Sequence, residues 1–159
     1  MSIEKVREYF KGFGIEDKIL EFDVSSATVA LAAQALGCEE QRIAKTLSLL
    51  VDEKAVLIVC AGDVKIDNPK FKAQFHTKAK MLSPEQVPQL IGHAVGGVCP
   101  FAVNEGVRVL LDESLKRFET VFPACGSSNS AIELTIPELE KYSGFEKWVD
   151  ICKLPEMGA

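Results

Sequence analysis

What the 159-residue chain lacks narrows its chemistry first. It has two histidines, His76 and His93, and five cysteines at 38, 60, 99, 125 and 152, none in a Cys-x-x-Cys pair. Zinc sites need clustered thiolates and imidazoles, so metal-ligand spacing is absent and no metal or cofactor is expected. Single thiols, odd in number, read as reduced and packed in a cytosolic chain. There is no Gly-x-Ser-x-Gly elbow, and no Gly-Lys-Ser/Thr follows the glycine pair at 96 and 97. Neither a serine-hydrolase elbow nor a nucleotide phosphate loop is therefore present. No apolar run reaches about 18 residues, so no membrane span is predicted. The opening MSIEKVREYFKGFG is charged and amphipathic, without the apolar centre of a signal peptide. These absences predict a cytoplasmic protein, and the length predicts one domain over residues 1–159.

Positive charge is also short overall: 18 basic residues face 23 acidic ones, for a net −5. That balance argues against a general nucleic-acid coat. The exception is residues 62–80, GDVKIDNPKFKAQFHTKAK, where Lys65, Lys70, Lys72, Lys78 and Lys80 face only Asp63 and Asp67. A basic patch on an acidic body fits a partner held at a few phosphates, or else a solvated helix face.

The pattern along the chain mixes short helices with hairpin-like strands. Ile3, Val6, Phe10 and Phe13 recur at helical spacing, and Gly12 and Gly14 end that run. KILEFD (18–23) reads as extended, and Ser25 or Ser26 as the cap of a helix through TVALAAQALG closed by Gly37. A short helix is expected at 39–44, then strands TLSLLV and AVLIVC around the turn DEK. Asp67 or Asn68 with Pro69 opens PKFKAQF, and Ser83–Gln86 and Thr135–Glu138 are capping boxes. RVLLD, ETVFP and AIELT (131–135) read as strands, KWVDI as a last strand or extended tail. Strands and helices do not alternate steadily, which excludes a doubly wound sheet. The expected class is α+β: a mixed, mostly antiparallel, twisted or barrel-like sheet with surrounding helices.

Three features carry candidate chemistry. In RIAKTLSLLV, Lys45 precedes the predicted strand and shares its parity with Leu47, Leu49 and Val51. A lysine there either anchors a phosphate at the mouth of a cavity or snorkels over apolar surface. Gly96-Gly97-Val98-Cys99-Pro100 permits close backbone approach to a ligand, or makes an ordinary tight loop. Cys99 reads as a packing residue and not a nucleophile. Ala124–Ala131 is rich in hydroxyls and amides, and either grips a ribose or aminoacyl group or is a solvated turn.

Taken in order, TVALAAQALG, RIAKTLSLLV with its Lys45-Thr46 pair, AGDVK, VGGVCPF with Gly-x-x-x-Pro from Gly96 to Pro100, VRVLLDESL and CGSSNSAIELT resemble the YbaK/ProX family of aminoacyl-tRNA deacylases. That family is related to the editing domain of bacterial prolyl-tRNA synthetase, and the resemblance spans about residues 3–151. It implies hydrolysis of the ester joining a wrong amino acid to tRNA. By resemblance Lys45 is the essential lysine, holding the terminal adenosine's phosphate or backbone. Thr46, Gly96, Gly97, Val98, Pro100, Ser127, Ser128 and Ala131 would contact the substrate. The same resemblance implies substrate-assisted chemistry on mischarged tRNA, with prolyl-tRNA synthetase or an elongation factor as partner. Lys65, Lys70, Lys72, Lys78 and Lys80 would meet the acceptor stem. Some members carry an acidic or histidine residue just before the Ile-Glu-Leu strand. Here Asn129, Ser130 and Ala131 stand there, so neither cysteine nor alanine specificity carries over. The competing readings are a non-catalytic nucleotide or aminoacyl-binding module and a small-ester hydrolase.

Overall fold

A computed structural model describes residues 2–155; the expected domain boundaries at 1 and 159 lie outside the described residues. The chain opens with α1 (Ser2–Lys11), which buries Val6 and Phe10. β1 (Leu20–Glu21) is all that remains of the predicted 18–23 strand. α2 (Val29–Leu36) is capped by Thr28, whose Oγ1 accepts from the Leu31 amide at 3.1 Å. Ser25 and Ser26, the expected caps, instead point their hydroxyls at the Ser128 carbonyl, at 3.5 and 3.3 Å. Gly37 closes the helix in the left-handed region as expected, φ 69°.

A single 3-10 turn at Glu40–Arg42 replaces the predicted short helix, and β2 (Ile43–Val51) starts early enough to include Lys45. β3 (Lys54–Ala61) returns through Asp52 and Glu53, both at positive φ, the geometry of a tight two-residue hairpin. β4 (Lys65–Ile66) precedes α3 (Asn68–Phe75), which Asp67 caps through the Lys70 amide. The Ser83–Gln86 box forms with reciprocal bonds of 2.9 and 3.3 Å and opens α4 (Gln86–Leu90). β5 (Arg108–Asp112) and β6 (Thr120–Pro123) follow.

The predicted strand 131–135 divides into β7 (Ser130–Ala131) and β8 (Leu134–Thr135), because β7 pairs with β1 while β8 pairs with β6. Between them Ile132 is fully buried and donates its amide to the Pro123 carbonyl. The second capping box opens α5 (Ile136–Ser143). β9 (Lys147–Val149) adds to β5, and β10 (Cys152–Lys153) pairs with β4.

The main sheet has the order β8-β6-β2-β3-β5-β9 and curls into a half-barrel. β6–β2, β3–β5 and β5–β9 are parallel; β2–β3 and β8–β6 are antiparallel. The two small sheets are antiparallel. The sheet is thus mixed, with helices around it. Its core gathers Phe10, Phe71, Phe101, Ile58 and Leu110, all fully buried.

The central hairpin positions the site. β2 and β3 run in unbroken register from Ala44 opposite Ala61 to Val51 opposite Lys54. On its other edge β2 meets β6 only at Ile43 and Ala44. Further along, the Leu50 amide donates to the Lys80 carbonyl and the Leu82 amide to the Ser48 carbonyl. Between those two contacts, no described strand lies beside Lys45, Thr46 and Leu47 on that edge.

Candidate functional site

That gap opens into a cavity of about 260 Å³. Its walls come from the β2 edge (Ala44, Lys45, Thr46, Ser48), from Ala27 and Thr28, from Gly96 and Val98, and from Ala124, Ser130 and Ala131. Met81 and Val95 also line it and are 54% and 60% exposed, an apolar rim at the mouth.

Alternation along β2 puts Lys45 on the face of Leu47 and Leu49, opposite Cys60 of β3. Its half-buried side chain donates its ammonium to the Val64 carbonyl, an acceptor with no net charge. Among the described residues no carboxylate forms an ion pair with it. A partly desolvated cation without a counterion is suited to take an anion from a ligand.

Thr46 points to the opposite face. Its Oγ1 is buried and has no hydrogen-bond partner among the described residues. Buried hydroxyls normally find a partner, so an orphan on a cavity wall marks a place for a ligand's polar group.

The glycine loop meets the hydroxyl-rich loop directly. Gly97 lies against the Gly126 and Ser127 backbone, and Gly96, at φ +90°, faces Ala27 and Ser128. Gly96 and Val98 reach the cavity; Gly97 and Pro100 are buried beside it and do not line it. Ser127, half-buried, and Ser128, exposed, do not line it either. The Ser127 hydroxyl donates to Asn129 Oδ1 at 2.9 Å and lies 2.6 Å from the Ser130 hydroxyl. The Ser128 carbonyl accepts from the Ser26 amide at 2.6 Å, tying this loop to the start of α2. The structure therefore brings Lys45, Thr46, Gly96, Val98 and Ala131 to one cavity and gives Gly97, Pro100, Ser127 and Ser128 supporting positions.

One contact escaped the sequence reading. His93 is fully buried under the glycine loop, with Nε2 2.7 Å from the Phe101 carbonyl and 3.5 Å from Cys99 Sγ. Its closeness to Cys99 in the chain was the available signal. The pair is not a reactive dyad. Burial pushes the Cys99 thiol up to about 12, and burial also lowers the His93 pKa, so both stay neutral.

Of the basic segment, Lys65, Lys72, Lys78 and Lys80 are exposed and have no ion-pair partner among the described residues. Lys70 is committed: its ammonium donates to Asp150 at 3.0 Å and to the Cys152 carbonyl at 3.1 Å, and the Asp150 hydrogen bond raises its pKa. Lys72 and Lys78 line a second cavity of about 580 Å³ with Asn68 and Pro69. No described helix is long and apolar enough to cross a membrane.

Comparison with known proteins gives the family and the fold. An aminoacyl-tRNA editing domain model matches residues 24–142. The uncharacterized protein YwhH of Bacillus subtilis (strain 168) is 51% identical over 154 residues, 96% of this chain and 98% of that protein. A proline–tRNA ligase of Halalkalibacterium halodurans is 31% identical over 104 residues, 65% of this chain but only 18% of the ligase. A crystal structure provisionally described as a trans-editing enzyme for prolyl tRNA synthetase superposes with TM-score 0.84 at 29% identity, covering 96% of this chain and 97% of that one. With the family model spanning most of the chain and the half-barrel matched throughout, this protein belongs to the aminoacyl-tRNA editing domain family, the YbaK-like deacylase fold.

Proposed function

We propose that the protein is a trans-editing deacylase that hydrolyses the ester of a mischarged tRNA, one carrying a small wrong amino acid, with tRNA-Pro as the first candidate. The observation that carries this reading is Lys45, a residue of the cavity wall whose ammonium has a neutral carbonyl, that of Val64, and no carboxylate as its partner among the described residues. The terminal nucleotide's phosphate supplies the missing anion. The aminoacyl group enters among Thr46, Gly96, Val98 and Ala131. Small side chains on the walls, among them Ala27, Ala44, Ala124 and Ala131, leave room for a small substituent. Gly97, Pro100, Ser127 and Ser128 hold the wall in place.

An ester is already activated, so orientation and stabilisation of developing charge suffice, with a ribose hydroxyl or the substrate's own side chain assisting. Lys65, Lys72, Lys78 and Lys80 contribute a weak grip on the RNA, and a prolyl-tRNA synthetase or elongation factor supplies further tRNA selectivity.

The test is a deacylation panel: tRNA-Pro charged with cysteine, alanine or serine, and other tRNAs beside it. Wild type should clear at least one charged species, and Lys45→Ala should lose about a hundredfold or more in kcat/KM while remaining folded. A Lys45→Ala protein working at the wild-type rate refutes the assignment.

A further inference from the structure

The open edge of β2 has a definite hydrogen-bonding polarity. In an antiparallel pair, residues alternate between bonding their partner strand and facing away from it. The tight turn at Asp52-Glu53 makes Val51 opposite Lys54 a bonded pair, so the odd residues of β2 bond to β3. The even residues face the other edge, as the Leu50 amide and Ser48 carbonyl show by bonding to Lys80 and Leu82. Thr46 belongs to this even set. Its N–H and C=O therefore point into the gap between β6 and residues 80–82. Neither has a backbone or side-chain partner among the described residues. Backbone groups at such an edge are a template for another extended segment.

We propose that Thr46 receives the aminoacyl group as a strand of one residue. This rests on the deacylase reading and deepens it by assigning the reacting groups. An aminoacyl ester carries an α-ammonium and a carbonyl in the same relation as the N–H and C=O of a peptide residue. Laid antiparallel to Thr46, it donates its ammonium to the Thr46 carbonyl and accepts the Thr46 N–H on its carbonyl oxygen. Side chains of such a pair share one face. The substrate's side chain then lies beside the orphan Thr46 Oγ1, near Ser48 on the same face of β2. Lys45, one residue back, projects from the opposite face, which separates the two cations across the strand.

The Thr46 N–H thereby becomes a fixed donor to the developing oxyanion. Water adds to the carbonyl carbon, and the carbonyl π pair moves onto the oxygen held by that N–H. Its return breaks the carbon–oxygen bond to the ribose. The ribose oxygen takes one proton from the water, and the acid formed releases the other to solvent as the amino-acid carboxylate. The substrate class is an L-aminoacyl ester with a free α-ammonium and a small side chain able to meet a hydroxyl.

Two comparisons test this, both on the full chain. The first uses wild type with alanyl-tRNA and propionyl-tRNA, which differ only in the α-amino group. Loss of a charge-assisted hydrogen bond should lower kcat/KM for the propionyl ester by about ten- to a hundredfold, after correction for the uncatalysed rates. The second compares Thr46→Pro with Thr46→Val. Both remove the hydroxyl, but only proline removes the N–H, at an edge position where the sheet does not use it. Folded Thr46→Pro should fall about a hundred- to a thousandfold below Thr46→Val in kcat, with a smaller change in KM. Equal rates for the two esters, or equal kcat for the two folded variants, overturn the assignment and leave the deacylase standing. If Thr46→Pro does not fold, the ester comparison decides alone. A wild type that clears no aminoacyl-tRNA in the panel sinks the functional reading itself.

Discussion

Gly97 and Ser127 are packed so closely that a Cβ on Gly97 would lie 2.7 Å from the Ser127 amide nitrogen. The contact is backbone to backbone, so no flexible side chain can yield. It joins the two loops that wall the cavity, so Gly97 sets the cavity's width without touching its contents. Gly97→Ala should cost about 1–3 kcal/mol of stability by overpacking and lower kcat/KM at least tenfold by spreading the loops. Gly106 is the control: its φ is +89°, but nothing lies within 4 Å of an added Cβ. Gly106→Ala should lose about 1–2 kcal/mol to backbone strain and keep its activity. Thermal unfolding and deacylation kinetics on both variants check this.

Local rules made much of this fold legible. Both capping boxes, the Gly37 terminus and the β2–β3 hairpin follow from residues a few positions apart. The failures are long-range. Ser25 and Ser26 have the right chemistry for a cap, but Ser128, a hundred residues on, claims them and the cap falls to Thr28. The apolar run at 131–135 reads as one strand because alternation cannot show that its ends pair with different sheets. Lys45 was legible as an out-of-place charge. The open edge at Thr46 was not, because it depends on where β6 stops and where residues 80–82 begin.

The lysines of the basic segment should behave unequally. Lys72 and Lys78 are exposed beside one cavity, while Lys70 is tied to Asp150. Replacing both Lys72 and Lys78 by Gln should weaken tRNA binding about tenfold at low salt. It should also flatten the plot of log affinity against log salt by about 1.8, as expected for two lost contacts to the phosphates of a duplex stem. Lys70→Gln should leave that slope unchanged and cost no more than about 1 kcal/mol of stability, since its ion pair is exposed. Filter binding of uncharged tRNA from low to moderate salt separates the cases. Equal slopes for all three proteins would remove the segment from the RNA contact.

Thiol chemistry should be silent in the native protein. Cys60, Cys99, Cys125 and Cys152 are buried, whereas Cys38 is only partly covered. Burial raises the pKa of Cys99, Cys125 and Cys38 alike, but only Cys38 has access to reagent. Iodoacetamide at pH 8 should therefore label Cys38 first and leave Cys99 unmodified until the chain unfolds. Deacylation should survive that labelling, and Cys99→Ala should retain most of its kcat. Mass mapping of the labelled peptides and a rate measured on the same sample test both statements. Early labelling of Cys99 with loss of activity would reopen the case for a thiol nucleophile.

His93 gives stability a pH dependence whose sign follows from its burial. Burial lowers its folded-state pKa below the ordinary 6.5, so the unfolded chain binds more protons whenever the pH lies between the two values. The contribution is fully present above about pH 6.5 and is lost progressively as pH falls through the depressed folded value. Among the described residues only one ring nitrogen has a hydrogen-bonded oxygen partner, the Phe101 carbonyl accepting from Nε2, and Nδ1 is buried without one. Charging the ring would strand a second donor in the core, directly beneath the loop that carries Gly96 and Gly97. His93→Gln keeps a donor for Phe101 but does not titrate. It should be less stable than wild type at pH 7.5, by about 1–3 kcal/mol of packing and hydrogen bonding, yet lose less on going to pH 5. Melting curves of the two proteins across that range should therefore converge at the acid end. Parallel pH profiles would show that His93 is not the group that titrates.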